Sequence, residues 1–331
     1  MLGHVGPESD PDVLEALEQL RSPEVSDRLV AIKTLQHLGD EVAVPPLIQA
    51  LQDEYAIVQQ LAVTALWELA NPIAVPALLD VLQSPDAEVR QEAQSALGEL
   101  VRPDHLLLLL DRLQQNQPTV QLSVLYLLRK IHDVQALPYI LPFLSAANWE
   151  LREAAVITLR YLNQLDRCPP ILPLIQDPVD AVRREVALTL GHLASDEAVP
   201  WLIQALDQDQ DWQVRRNAAK SLALHPAPEA IPALLTAIQD QDWQVRKFAI
   251  QALQTQVVPS ESIAQTLEIL IHALTDTVSD VRKEAAIGLG KLGNPLALQA
   301  LQQALDDPDR EVSIRAERAI VQLQESAKQA V

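Results

Sequence analysis

The chain has 331 residues, 48% of them hydrophobic and 3% aromatic, with eight glycines, 23 prolines and one cysteine. So few glycines, about a third of ordinary usage, disfavour β-rich folds built on tight turns. The 45 acidic and 25 basic residues give a formal net charge of −20, acidic in both halves, which is the wrong sign for a protein that tracks nucleic-acid phosphates.

The N-terminal stretch Met1–Asp10 has neither a basic n-region nor an apolar h-region, so no signal peptide is expected. The apolar run Leu106–Leu110 falls far short of the roughly 20 residues that span a bilayer. A single cysteine, Cys168, excludes an internal disulfide and fits a reducing compartment. The expectation is a cytoplasmic protein without membrane insertion.

Helices are predicted from Asp10-Pro-Asp12 onward, and they recur with a fixed period. The segment Asp209-Gln-Asp-Trp-Gln-Val-Arg215 returns as Asp240-Gln-Asp-Trp-Gln-Val-Arg246, 31 residues later. One phase runs through Asp27, Val58, Val89, Val120, Leu151, Val182, Val214, Val245, Val281 and Val312, and marks ten units. A second phase runs through Pro45, Pro76, Pro138, Pro169, Pro200 and Pro232. In each unit the first helix carries that proline in its first turn, where a missing N–H costs little. An acidic turn follows, such as Asp207–Asp211, whose carboxylates suit a helix N-terminus. The second helix presents an apolar stripe such as Val281, Ala285, Leu289 and Leu292. Neither helix buries its stripe alone, so the units must stack. The predicted fold is an all-α, α/α superhelical solenoid of about ten two-helix repeats, a single array over residues 1–331. Between units eight and nine the step lengthens by five residues, near 255–262, which predicts a longer loop. The last helix is polar over much of its circumference (Arg315, Glu317, Arg318, Gln322, Gln324, Lys328), as an end unit requires.

The pattern Asp-x-x-x-Val-Arg-x-x-Ala-Ala-x-x-Leu-Gly-x-Leu-Gly, nearly intact at Ser279–Gly293, resembles the HEAT-like repeat of the phycobilisome-lyase type. That resemblance implies a right-handed α/α superhelix with a protein-binding surface. Its members include bilin lyase subunits, which attach or detach phycobilins on phycobiliproteins, and adaptors of antenna assembly or degradation. The sequence departs from the pattern where Gln59, Gln121 and Ser313 replace the arginine, and in Val120–Asp133, which has no glycine.

Catalytic signals are sparse. None of the histidines (His4, His37, His105, His132, His192, His225, His272) is followed by glutamate, so the His-Glu pairs of the di-iron HEAT-repeat hydroxylases are missing. There is no His-x-x-x-His, no cysteine pair, no phosphate-cradling glycine loop and no nucleophile elbow. No metal, cofactor or catalytic residue is therefore expected.

Three surface patterns remain. The arginine after the phase valine recurs as Arg28, Arg90, Arg152, Arg183, Arg215, Arg246 and Arg282. A cation is disfavoured at a helix N-terminus, so acidic turns must offset it, with Asp of one unit reaching Arg of the next. One residue further on, units six to nine carry Arg184, Arg216, Lys247 and Lys283. That second row is either a solvated edge paired with Glu185, Asp211, Asp242 and Glu284, or a site for an anionic partner such as an acidic protein surface or the propionates of a bilin. Trp149, Trp212 and Trp243 share a phase two residues before the valine, where other units have Ala56, Ala87 or Pro118. They either lie over a neighbouring turn or form an interface hot spot. Tyr126 and Tyr161 face a concave groove with Ser123 and Lys130, or are buried in the stack.

The functional expectation is a non-enzymatic scaffold that holds a protein partner through its groove and a basic–aromatic ridge in units five to nine. The resemblance points to a phycobiliprotein or photosynthetic complex in assembly or turnover. The alternative it implies is a bilin lyase or isomerase subunit, with a phycobilin as bound substrate near Arg216, Lys247, Trp212 and Tyr161.

Overall fold

A computed structural model of the chain describes residues 10–162 and 166–329. His4, the N-terminal stretch and the Lys328 side chain fall outside the described residues. The chain divides into two compact units, Met1–Asn163 and Gln164–Val331.

Among the described residues every regular element is helical, and the helices form ten successive pairs. In the first unit the pairs are Pro11–Gln19 with Val25–Leu38, Val44–Ala50 with Ala56–Glu68, Val75–Val81 with Ala87–Leu100, Leu106–Leu113 with Pro118–Ile131, and Leu137–Ile140 with Trp149–Arg160. In the second unit the 3-10 helix Pro169–Gln176 pairs with Asp180–Leu190. Val199–Gln208, Ile231–Ala237, Ile263–Ala273 and Leu298–Gln303 then pair with Trp212–Leu222, Trp243–Leu253, Ser279–Leu292 and Arg310–Gln329. No described helix is long and apolar enough to cross a membrane.

The sequence phases sit where a stacked core requires them. Val58, Val89, Val182, Val214, Val245, Val281 and Val312 are fully buried, as are Leu47, Leu78, Leu109, Leu202, Leu234 and Leu301 of the first helices. Each such side chain contributes about 1.5–3 kcal/mol on leaving water. Cys168 stands in the register of Val44, Val75 and Val199 and is itself buried. Burial pushes its thiol pKa up. Short first helices are entered through 3-10 turns capped by Asp40, Asn71, Asp133, Ser195 and Asn294. Second helices are capped by Asp86, Asn148, Asp211 and Asp242, which accept from amides two or three residues on.

Polar side chains tie consecutive second helices together in the second unit. Asn217 Nδ2 donates to Arg184 O at 2.9 Å, Ser221 Oγ to Ala187 O at 2.7 Å, and Gln256 Nε2 to Leu222 O at 3.1 Å. The Ser221 contact requires a glycine opposite: a Cβ on Gly191 would lie 2.4 Å from Ser221 Oγ. Helix ends use the left-handed conformation at Gly39 and Gly293, and Ala70 and His132 adopt the same conformation with φ of 51° and 58°.

The five extra residues between units eight and nine are shared between a loop and an added helical turn. After Leu253 the chain passes through a 3-10 turn, Ser260–Ser262, into an 11-residue helix, Ile263–Ala273, where Ile231–Ala237 has seven. The burial pattern matches Thr266-Leu267 to Ala230-Ile231, so Ile263–Gln265 is the added turn.

Candidate interaction surface

The first arginine row is a ladder. Arg28, Arg183, Arg215, Arg246 and Arg282 each grip a carboxylate with a two-pronged contact: Asp53, Asp209, Asp240, Asp276 and Asp307, with Nε–Oδ2 at 2.7 Å in all five. The third nitrogen of Arg215 donates to Asp209 O at 2.9 Å and Gln210 O at 3.1 Å, in the turn before its own helix. Each rung therefore joins two turns, and the aspartate comes from the following unit, the reverse of the expected direction. Each aspartate also accepts from the amide two residues on, as Asp240 does from Asp242 N at 2.8 Å. Arg90 stands opposite Gln115 and has no carboxylate rung, but keeps its turn contacts, donating to Ser84 O at 2.7 Å and Pro85 O at 2.9 Å. Gln59 stands opposite Ser84 and Gln121 opposite Ala146, 25 residues on as in Arg28–Asp53, so arginine and carboxylate are absent together. Gln59 keeps the turn contact, donating to Asp53 O at 2.6 Å. Burial raises the Asp276 carboxyl, but bonds from Arg246 and the Val278 amide, with the charges of Arg246 and Arg282, outweigh it and leave its pKa low. Asp307 is held low first by its bond to Arg282.

The second cation row divides. Arg184 lies between Asp180 and Asp211, with Nε 3.1 Å from Asp211 Oδ1. Lys247 pairs with Asp280 at 2.7 Å, and Lys283 with Asp280 at 3.1 Å and Asp309 at 3.6 Å. These lysines hold Asp280 below the usual carboxylate range. Of the carboxylates named from sequence, Asp211 takes part; Asp180, Asp280 and Asp309 were not anticipated. Arg216 differs, because its hydrogen-bond partners are the neutral amides of Gln244 (3.0 Å) and Asn217 (3.0 and 3.2 Å). Its positive charge is therefore not cancelled by a carboxylate.

The tryptophans open second helices directly after their caps. Trp149 and Trp243 are exposed and Trp212 is half-buried. One helical turn on, Arg216 stacks over Trp212 at 5.2 Å and Lys247 over Trp243 at 5.9 Å. Trp149 has Glu153 at that position.

In the first unit, Tyr126 and Tyr161 are 55% and 42% exposed, so they are not buried in the stack. Each carries a cation: Arg129 over Tyr126 at 5.5 Å and Arg160 over Tyr161 at 5.8 Å. His132 lies against Tyr161, its ring 6.1 Å away and Nδ1 2.8 Å from Tyr161 O. Lys130 is turned onto Gly98 O and Glu99 O, closing the C-terminus of the preceding second helix. Arg129 and Arg160 went unnoticed in the sequence; their position three residues after and one before a tyrosine on a helix was the available signal. The named residues thus fall into two groups, with Tyr126, Trp149 and Tyr161 in the first compact unit and Arg184, Trp212, Arg216, Trp243, Lys247 and Lys283 in the second.

Among the described residues no group of three or more His, Cys, Asp or Glu is placed to hold a metal ion. What the surface presents is a set of aromatic rings with cations laid on them.

The HEAT-repeat model matches residues 11–98, 75–160, 137–210, 199–261 and 240–321. The chain belongs to the HEAT-repeat family. No curated protein sequence matches it. Solved structures match its fold: an engineered protein from the Northeast Structural Genomics Consortium is 22% identical with a TM-score of 0.55, covering 95% of this chain and 99% of that one. A structure describing Kap95p binding to RanGDP gives a TM-score of 0.62 at 15% identity, and importin beta gives 0.61 at 16%. These cover 95% and 97% of this chain, which spans about half of each of theirs (51%). At such identities the likeness concerns the fold, a helical-repeat stack commonly used as a protein-interaction scaffold.

Proposed function

We propose that the protein is a non-enzymatic, cytoplasmic scaffold that holds a protein partner through solvent-accessible aromatic–cation pairs and a concave groove. The observation that carries this reading is the Arg216–Trp212 pair, an arginine without a carboxylate on a protein of net charge −20. Arginine and tryptophan are the residue types that dominate interface energies, and a planar guanidinium with N–H groups to spare suits a carboxylate on the partner. Tyr126 with Arg129 and Tyr161 with Arg160 place further aromatic–cation stacks on the first unit. None of these residues is demanded by the core.

The finer part of the proposal names the partner class as a phycobiliprotein or photosynthetic-complex subunit, and it rests on the repeat's resemblance alone. Immobilised protein is tested for capture of a purified phycobiliprotein subunit, beside Arg216→Glu/Trp212→Ala and Tyr126→Ala/Arg129→Glu. Capture by the native chain and a loss of at least tenfold in either variant supports the proposal; equal capture by all three contradicts it. Co-production with bilin and the same subunit adds a separate outcome. A covalent coloured adduct that depends on this chain makes it a lyase subunit instead.

A further inference from the structure

Arg90 stands in the arginine register of the ladder and holds the ladder pose without a carboxylate. Its Nη1 donates to Ser84 O and Pro85 O, six and five residues back, at 2.7 and 2.9 Å. Arg28 and Arg246 set Nη1 on the same two carbonyl positions, at 3.0 and 3.0 Å and at 2.9 and 3.1 Å. In both, the opposite edge of the guanidinium closes on the two oxygens of an aspartate. Nε and Nη2 lie 2.7 and 3.0 Å from Asp53 in the first case, and 2.7 and 2.8 Å from Asp276 in the second. The guanidinium is planar, so anchoring Nη1 sets where that edge points. In Arg90 the edge makes no hydrogen bond or ion pair among the described residues, and its nitrogens are open to solvent.

The surroundings leave that edge without an acid. Gln115 takes the place of the rung aspartate, and its side-chain amide makes no hydrogen bond to Arg90. The turn it belongs to, Gln114-Gln-Asn-Gln-Pro-Thr119, contains no carboxylate, whereas Asp207–Asp211 contains three. Asp86, the cap of the Arg90 helix, is taken by the amides of Glu88 and Val89. A junction without a rung does not need an arginine. Gln59 and Gln121 fill the register where the facing aspartate is missing, and each still reaches a carbonyl, Asp53 O at 2.6 Å and Leu113 O at 3.2 Å.

We infer that the open edge of Arg90 is a docking slot for an acidic side chain, aspartate or glutamate, of a bound protein. The filled rungs show what the edge accepts: one carboxylate, both of its oxygens, in the plane of the guanidinium. On a chain of net charge −20 it is an acceptor for the sign of charge that the rest of the surface repels. That the occupant belongs to a protein rests on the scaffold reading above. The slot itself depends neither on the partner class nor on the aromatic–cation pairs.

The test follows the arginine Nε–H signals of the full chain, labelled at arginine, by NMR at constant ionic strength. The probe is the capped peptide acetyl-Ala-Asp-Ala-amide, with acetyl-Ala-Asn-Ala-amide as the neutral control. The Arg90 signal is assigned by its loss in Arg90→Gln, a change patterned on Gln59 and Gln121. It shifts saturably with the aspartyl peptide, with a midpoint below about 50 mM, and not with the asparaginyl one. The ladder arginines stay still, and the exposed Arg102 drifts without saturating. Gln115→Asp fills the slot from within. It raises Tm by about 2 °C, moves the Arg90 signal to the region of the ladder arginines and abolishes its response to the peptide. An Arg90 signal that drifts as Arg102 does overturns the proposal. So does a response that the asparaginyl peptide reproduces, or one that survives Gln115→Asp. None of these outcomes depends on whether a phycobiliprotein is captured, so the partner class and the slot fail separately.

Discussion

The ladder allows a quantitative test at Arg215. Replacing it with alanine removes two charge-assisted bonds to Asp240 and two bonds to carbonyls of the preceding turn. The two side chains are 18% and 12% exposed, so Asp240 would be left largely desolvated and without its cation. Breaking a fully buried pair costs about 3–5 kcal/mol, and the residual solvent contact here lowers that to about 2–3 kcal/mol. Asp240→Ala strands Arg215 in the same way and also loses the acceptor of the Asp242 amide, for a similar cost. The chain itself contains the double replacement: Gln59 with Ser84 and Gln121 with Ala146 stack without a rung. Arg215→Gln/Asp240→Ser is therefore expected to cost only about 1–2 kcal/mol, since glutamine retains a turn contact of the Gln59 type. Single losses of about 2–3 kcal/mol each against about 1–2 kcal/mol for the pair give a coupling energy of about 3 kcal/mol. Urea unfolding followed by tryptophan fluorescence, with the two single and the double Gln/Ser variants, measures it directly. Strictly additive losses would show that the rungs do not hold the units together.

Other outcomes follow from the same contacts. Asp211, Asp276, Asp280 and Asp307 have pKa values below the usual carboxylate range in the folded chain. Their stabilisation is therefore complete above the unfolded value near 4 and is lost as pH falls through their lower folded values. Tm should be flat from pH 7 to 5 and decline below about pH 4, less steeply in Asp276→Asn/Asp307→Asn. Ala70 holds a left-handed φ of 51° where Gly39 and Gly293 stand, so Ala70→Gly should raise stability by about 0.5–1 kcal/mol in urea unfolding, despite glycine's greater entropy when unfolded. Cys168 is buried with its thiol pKa raised, so it should react with a thiol reagent at least 100-fold more slowly in the native chain than in urea.

The fold was legible because the 31-residue period repeats one solution to one packing problem; Val214 and Val245 had to be buried if either was. The ladder was half legible. The arginine register stood out, while its partner lay 25 to 30 residues on; Arg and Asp are lost together at Gln59/Ser84 and Gln121/Ala146, but Arg90 persists opposite Gln115, so the pairing could not be read from joint loss. Of the second row, the pairs Asp180–Arg184 and Asp280–Lys283 could have been read from helical spacing of four and three. That Arg216 alone of its row escapes a carboxylate could not, because it depends on how Gln244 and Asn217 are turned. Arg129 and Arg160 share a phase, nine residues after Val120 and Leu151, but were hidden because the units on either side carry Gly98 and Gly191 there and no longer row marks them.

The central claim, that the rings and their cations form the partner surface, is tested most directly by comparative affinity capture. Native chain, Arg216→Glu and the control Lys220→Glu, exposed on the same helix, are used as baits in source lysate, and captured proteins are quantified by mass spectrometry. The prediction is one set of proteins held by the native chain and by Lys220→Glu and depleted roughly 30-fold with Arg216→Glu, the factor for a hot-spot loss of about 2 kcal/mol. Equal recovery by all three baits would contradict it.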